Sequence, residues 1–156
     1  MNNPIIHALI LSLLPISELR GGIPYAVAND IPLWEAYVIC VLSNLLVIPI
    51  VYIFLETIHK NLYAIGFYKK IFDRYIERTR RKAEKNVGKY GYWGVMLFVA
   101  IPLPVTGAYT GTVAAWLLKL DRKRSVWYLA LGVVIAGVIV SIATISGIKA
   151  FEIFTK

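Results

Sequence analysis

The sequence predicts an all-α integral membrane protein. It reads as two inverted repeats, each a re-entrant helical hairpin followed by one transmembrane helix, with an amphipathic basic helix between them. Three observations carry this reading. The 156 residues are 58% apolar, with a mean hydropathy of +0.66, more than a soluble domain of this size carries. Two apolar runs, from about Leu33 to Leu55 and over 126–148, are long enough to cross a ~30 Å hydrocarbon core. Finally, two polar Pro/Gly-rich stretches, Leu14-Pro-Ile-Ser-Glu-Leu-Arg-Gly-Gly-Ile-Pro24 and Ile101-Pro-Leu-Pro-Val-Thr-Gly-Ala-Tyr-Thr-Gly111, sit between short apolar runs. At about 1.5 Å per residue, a run of about ten to thirteen residues crosses only half of the core. Irregular backbone at membrane depth persists only where protein or a water-filled cavity covers it, so a break between two half-crossings points to a transport path.

The elements follow in order. Residues 4–14 form a short apolar segment that Pro15 and Gly21-Gly22-Ile-Pro24 break. Tyr25 to Asn29 forms a second short segment, and Asn29-Asp-Ile-Pro32 forms a turn. The first full span follows, with Pro49 expected to kink it and Asn44 expected to hydrogen-bond another helix. Residues 57–90 are the basic segment. Ile65, Tyr68, Phe72, Tyr75 and Thr79 share one helical face, while Lys69, Lys70, Asp73, Arg74, Glu77 and Arg78 lie mostly off it, as in a helix resting on a membrane surface. Gly94 to Ala100 and Thr112 to Leu118 flank the second break. Asp121-Arg-Lys-Arg-Ser125 reads as a basic turn, and the second span carries a small-residue stripe, Gly132, Ala136, Ala143 and Gly147, suited to close packing within the chain or between protomers. Lys149 to Lys156 reads as a short tail. The whole forms one membrane domain over 1–156: repeat 1 about 4–56, the basic segment 57–90, repeat 2 about 93–148.

Charge sets the orientation. Lys60 to Tyr90 holds ten of the seventeen Lys/Arg and three of the nine acids, a net of +7 out of the chain's +8. This is the pattern of a cytoplasmic loop facing anionic lipid rather than of a nucleic-acid binder, and no nucleic-acid partner is expected. The positive-inside rule places 57–90 and 121–125 in the cytoplasm and opposes the two repeats, with substrate expected near the midplane where the broken helices meet. The halves also match at an offset of 89: Pro15 with Pro104, Ile16 with Val105, Ser17 with Thr106, Gly22 with Gly111, Ala26 with Ala115. The N-terminus lacks a basic n-region and a small-residue cleavage site, so it is expected to belong to the mature chain.

Glu18 and Arg20 are the charged side chains expected deep in the membrane, where each costs about 2.5 to 3.5 kcal/mol unless paired or wetted. They read either as a structural ion pair or as function: Glu18 a proton-binding carboxylate, Arg20 a fork for phosphate or carboxylate. Gly21, Gly22, Gly107 and Gly111 allow close approach or positive φ. The half-helices after the breaks present free N–H groups to an anion. Ser17, Thr106, Tyr109 and Thr110 supply hydroxyls that line the site or cap broken helix ends, and Pro15, Pro24, Pro102 and Pro104 shape the hairpins. His7 reads as a packing residue and Cys40 as a small buried hydrophobe. No metal-ligand spacing, phosphate loop or nucleophile–base constellation is present in the sequence, so no metal, no cofactor and no enzymatic activity are expected.

Leu-Pro-Ile-Ser-Glu-Leu-Arg-Gly-Gly-Ile-Pro followed by Pro-Leu-Pro-Val-Thr-Gly-Ala-Tyr-Thr-Gly resembles the prokaryotic small multidrug export protein family over nearly the whole chain. The hairpin-plus-span pattern is also similar to the wider DedA (VTT-domain) superfamily, whose facing re-entrant hairpins are associated with lipid flipping and proposed proton coupling. By that resemblance Glu18 matches the acidic residue of the first hairpin, and the Ile101-Pro102 stretch with Thr106 matches the second. One departure is that DedA proteins carry arginines in the second hairpin, where this chain has Val99 and Val105; Arg20 could substitute from the other hairpin.

Together these features imply a proton-coupled secondary transporter of the prokaryotic inner (plasma) membrane. Flipping of a lipid or lipid phosphate comes first. A small multidrug or cation exporter working by proton antiport comes second, with Tyr25, Tyr109 and Trp116 able to line an aromatic pocket. A non-transporting scaffold that binds anionic lipid or a partner protein comes third. The expected partners are membrane lipids, a small-molecule or lipid substrate and protons. A homodimer or higher homo-oligomer is expected to cover the polar breaks.

Overall fold

A computed structural model describes residues 3–58, 72–74, 76–77, 79, 90–103 and 106–155. Among these the secondary structure is helical, and the helices with both ends described are α1 Pro4–Leu13, α2 Glu18–Ala28, α3 Leu33–Ile53, α4 Gly91–Ala100, α5 Ala108–Leu117 and α6 Arg122–Thr155. Local chemistry starts α1 at Pro4: Asn3 Oδ1 accepts from the Ile5 amide at 3.0 Å, and proline at the first position has no amide to leave unpaired. α3 passes through Pro49 and ends in a π-helical turn, Phe54–Ile58.

α1 and α2 lie side by side in opposite directions, with the His7 ring 6.1 Å from that of Tyr25. Gly22 makes this approach possible, since a Cβ there would meet Ser12 Oγ on α1 and come within 3.0 Å of Cys40 Sγ on α3. α4 and α5 pair the same way. A Cβ at Gly111 would meet Val99 on α4 and come within 3.0 Å of Leu129 on α6. Each half is therefore a helix–break–helix unit leaning on the long helix that follows it.

The long helices run antiparallel. Tyr37 donates to the Val134 carbonyl at 3.3 Å near one end, and Arg122 pairs with Glu56 at 2.7 Å near the other. Residues 33–58 and 122–148 are long and apolar enough to cross a membrane. Their outward faces are apolar from end to end: Trp34, Val38, Leu42, Leu46, Ile50 and Ile53 on α3, and Trp127, Leu131, Val134, Val138, Ile142 and Ile145 on α6. An apolar stripe of this length facing outward on both helices suits a lipid solvent and not water. Because the helices are antiparallel, exposed Trp34 lies at one end while exposed Trp127 and Trp93 lie at the other, the pattern of interfacial aromatic belts.

Two turns 89 residues apart share local backbone geometry. At the end of α2 the Ile31 amide donates to the Ala26 carbonyl at 3.1 Å with Asp30 at φ 62°; at the end of α5 the Leu120 amide donates to the Ala115 carbonyl at 3.1 Å with Lys119 at φ 51°. The same pairing recurs at the next helix start, Ala36 to Pro32 and Ser125 to Asp121.

Several elements depart from the sequence reading. Gly21, Gly22 and Pro24 lie inside α2 instead of breaking it, because the break is only 14–17 and the glycines serve packing. The Asp121–Ser125 stretch is the first turn of α6, because Asp121 Oδ1 accepts from the Arg124 amide at 2.9 Å and caps the helix. The tail is helical through Thr155. The small-residue stripe divides: Gly132 and Ala136 pack inside, whereas Ala143 and Gly147 face outward. Of the basic segment, Phe72–Arg74, Ile76, Glu77 and Thr79 are helical, with Phe72 and Ile76 against the core and Asp73, Arg74 and Glu77 exposed. Ile65, Tyr68 and Tyr75 lie outside the described residues.

Candidate functional site

The two breaks meet. Glu18 opens α2 in the left-handed region, at φ 46°, a conformation an L residue adopts at a cost of about 1 kcal/mol. Its carboxylate lies against the Gly107 backbone, where a Cβ would overlap it, and accepts from the Tyr109 amide at 3.4 Å. Gly107 is the N-cap of α5 and takes φ 147°, open to glycine alone. A buried carboxylate thus sits at a helix N-terminus, where amide groups and the helix dipole favour negative charge. The anion that the sequence led us to expect at this helix end is supplied by the chain itself.

Arg20 reaches the other way. Its Nη1 donates to the Leu103 carbonyl and its Nη2 to the Thr106 carbonyl at 2.7 Å. Among the described residues no ion pair joins Arg20 to Glu18; the guanidinium clamps the second break instead. Tyr109 makes the reciprocal crossing, its hydroxyl donating to the Leu13 carbonyl at the end of α1.

The remaining hydroxyls bind locally. Ser17 Oγ donates to the Leu11 carbonyl, and Thr106 Oγ1 accepts from the Leu103 amide at 3.0 Å. Thr110 Oγ1 donates to the Gly107 carbonyl at 3.4 Å. Ser17 and Thr106 thus satisfy carbonyls at the ends of α1 and α4, Thr110 bonds back within α5, and all three line the same cavity. Asn44, on α3 behind the first break, donates to the Ser12 carbonyl at 2.9 Å, the interhelical bond expected of it.

A cavity of about 1040 Å³ opens onto this junction. Its polar floor is Ser17, Glu18, Arg20, Thr106, Tyr109 and Thr110, with Pro15 and Gly21 beside them. Its walls are apolar: Ile16, Val51, Phe54, Leu55, Phe72 and Val113. Val51, Phe54 and Leu55 are at the end of α3 that pairs with Arg122, so the cavity lies on the basic side. Beyond Glu18 a space of about 10 Å³, bounded by Asn44, Pro102, Gly107, Val133 and Ala136, has room for one water at most.

Of the predicted site residues, Gly22 and Gly111 are packing contacts, Pro24 lies within α2, and Pro104 is outside the described residues. The aliphatic and aromatic walls were missed, since Phe54 and Leu55 look like any apolar residues at the end of a span. Phe72 was legible only as part of an amphipathic stripe.

A comparison with protein families matches the one described as "Putative small multi-drug export protein" over residues 18–139. No curated protein and no solved structure matches the chain. The family match starts at Glu18, directly after the first break, takes in the second break, α3 and the first half of α6, and agrees with the lipid-suited outer faces of the long helices: this membrane protein belongs to the small multi-drug export protein family.

Proposed function

We propose that the chain is a secondary exporter of amphipathic small molecules, not an enzyme, coupled to protons through Glu18. The observation that carries this reading is the placement of Glu18 and Arg20 at the floor of a largely apolar cavity, where two broken helices meet. In this reading the two helix–break–helix units are re-entrant hairpins of inverted repeats, entering the inner membrane of a prokaryotic cell from opposite sides. The shared turn geometry at the 89-residue offset and the antiparallel long helices support it. The basic end of the bundle is cytoplasmic by the positive-inside rule, so the cavity collects its cargo from the cytoplasm, the direction export requires. A homodimer would cover the first break, where Ile16 is 94% exposed beside irregular backbone.

The geometry reorders the readings of the sequence. A lipid phosphate needs a free cationic fork or a free helix N-terminus. Arg20 spends its fork on the Leu103 and Thr106 carbonyls, and Glu18 fills the start of α5, which among the described residues of the junction leaves an anion only the start of α2, where Ser17 makes no capping bond. An apolar molecule, neutral or cationic, fits the cavity better, and lipid flipping becomes the second reading.

Purified protein in liposomes separates them. A cationic dye and a labelled isoprenoid or glycerophospholipid phosphate are followed in parallel, with and without a pH gradient. We expect gradient-driven dye movement that falls to background in Glu18→Gln. Lipid movement lost in the same variant would put flipping first. Movement of neither, together with a phenotype that survives Glu18→Gln and is lost on charge removal in 69–82, would put the scaffold first.

A further inference from the structure

Arg20 and Tyr109 are 89 residues apart, so they occupy equivalent places, each in the first turn after its break. Each crosses to the opposite unit. Arg20 takes the Leu103 and Thr106 carbonyls of the second break, and Tyr109 takes the carbonyl of Leu13, the last residue of α1. The end of a helix leaves carbonyls without an intrahelical partner, and inside a membrane nothing but protein or trapped water can satisfy them. Each crossing ties one unit to the other; Tyr109 satisfies the Leu13 carbonyl and Arg20 that of Thr106, while the Leu103 carbonyl also accepts from the Thr106 amide at 3.1 Å and hydroxyl at 2.8 Å. Between the two ties the Glu18 carboxylate rests on Gly107, so the junction is closed at its centre as well.

From this we infer that Arg20 and Tyr109 form a reciprocal latch, two gating residues that hold the far side of the junction shut. The cavity lies on one side of the latch, and the water-sized space beside Asn44 and Ala136 lies on the other. Opening the far side requires both donors to give up their carbonyls, and only water or an acceptor group of a bound molecule can replace them. Both side chains line the cavity, so a molecule held there reaches the latch directly. A cargo bearing hydrogen-bond acceptors competes with the Leu103 and Leu13 carbonyls and loosens the junction, while a purely hydrocarbon molecule of the same size leaves it closed. What passes the latch rests on the transport reading; whether the latch holds does not.

The test needs no substrate. In a Cys40→Ala background, Ala136→Cys places a thiol in the space beyond Glu18, and Val51→Cys places one in the cavity. Proteoliposomes are exposed to a membrane-impermeant thiol reagent from the face of the Asn29–Pro32 turn. Tyr109→Phe keeps the ring and removes the bond to Leu13. It should raise the labelling rate at Ala136→Cys by about three- to tenfold, the population shift one hydrogen bond controls. Labelling of Val51→Cys from the basic face should not rise. If Tyr109→Phe does not fold, Arg20→Lys carries the same expectation, because an ammonium keeps the charge and cannot reproduce the two-carbonyl clamp. An unchanged rate at Ala136→Cys in either folded variant overturns the latch. Faster labelling without flux of dye or lipid leaves the latch standing and counts against the transport reading.

Discussion

The two breaks meet at one junction and differ in chemistry. Position 18 is a strained glutamate in the first, and its counterpart in the second is Gly107, also at positive φ. Position 20 is an arginine, and its counterpart Tyr109 is neutral. The first break therefore brings the charges, and the second brings the helix N-terminus and carbonyls that receive them. If both breaks carried Glu and Arg, two carboxylates would face each other at the junction, and neither would find the amides it needs. The difference teaches that the site is asymmetric, one break supplying charge and the other receiving it, even though the turns after α2 and α5 are alike. Scaffold positions should respond alike in the two halves, and site positions should not.

The largest asymmetry should appear at Gly107. Gly107→Ala places a methyl group on the Glu18 carboxylate and forces an L residue to φ 147°. Either change alone costs about 1 to 3 kcal/mol. Together they should lower the thermal unfolding midpoint in detergent sharply and abolish gradient-driven flux. In the other half, Glu18→Gly relieves backbone strain, so the folded protein should be retained while coupling is lost. Equal destabilisation by both substitutions would show that the two positions are plain scaffold.

Gly22 and Gly111 should behave as a matched pair with a smaller effect. Alanine at either position adds a methyl group to a tight three-helix contact, at about 1 to 3 kcal/mol. The two costs should be similar, because each methyl group mainly meets a side chain, Ser12 Oγ at Gly22 and Val99 Cγ2 at Gly111. Adding Ser12→Ala should recover part of the loss at Gly22 and none at Gly111, which a double-mutant comparison of unfolding midpoints will read.

The same division governs what the sequence made legible. Half-length apolar runs around Pro/Gly stretches located both breaks, because a membrane allows few alternatives for such a pattern. Glu18 and Arg20 stood out because charge is costly there. The extent of the helices was less readable. Gly21-Gly22 signals a break and a close contact with the same letters, and only the neighbours Ser12 and Cys40 decide which. Arg122 to Arg124 look like a solvated turn until the Asp121 cap is seen. The cross-connections were illegible for a different reason. Arg20 and Tyr109 end on carbonyls of Leu13, Leu103 and Thr106, and a backbone acceptor leaves no mark in the side-chain sequence.

The smallest effect sharpens the scaffold half of the comparison. Asp30 and Lys119 close the equivalent turns after α2 and α5, both with positive φ and both exposed. Neither belongs to the cavity, so glycine there changes backbone strain and little else. Left-handed backbone costs an ordinary L residue about 1 kcal/mol, and a short Asp side chain tolerates it better than lysine does. Lys119→Gly should therefore stabilise the protein by about 1 kcal/mol and Asp30→Gly by only a few tenths. Unfolding midpoints should rise in that order with flux unchanged. A loss of stability at Lys119→Gly would mean that its charge at the basic face matters more than its backbone, and that even these turns belong to the asymmetric part of the molecule.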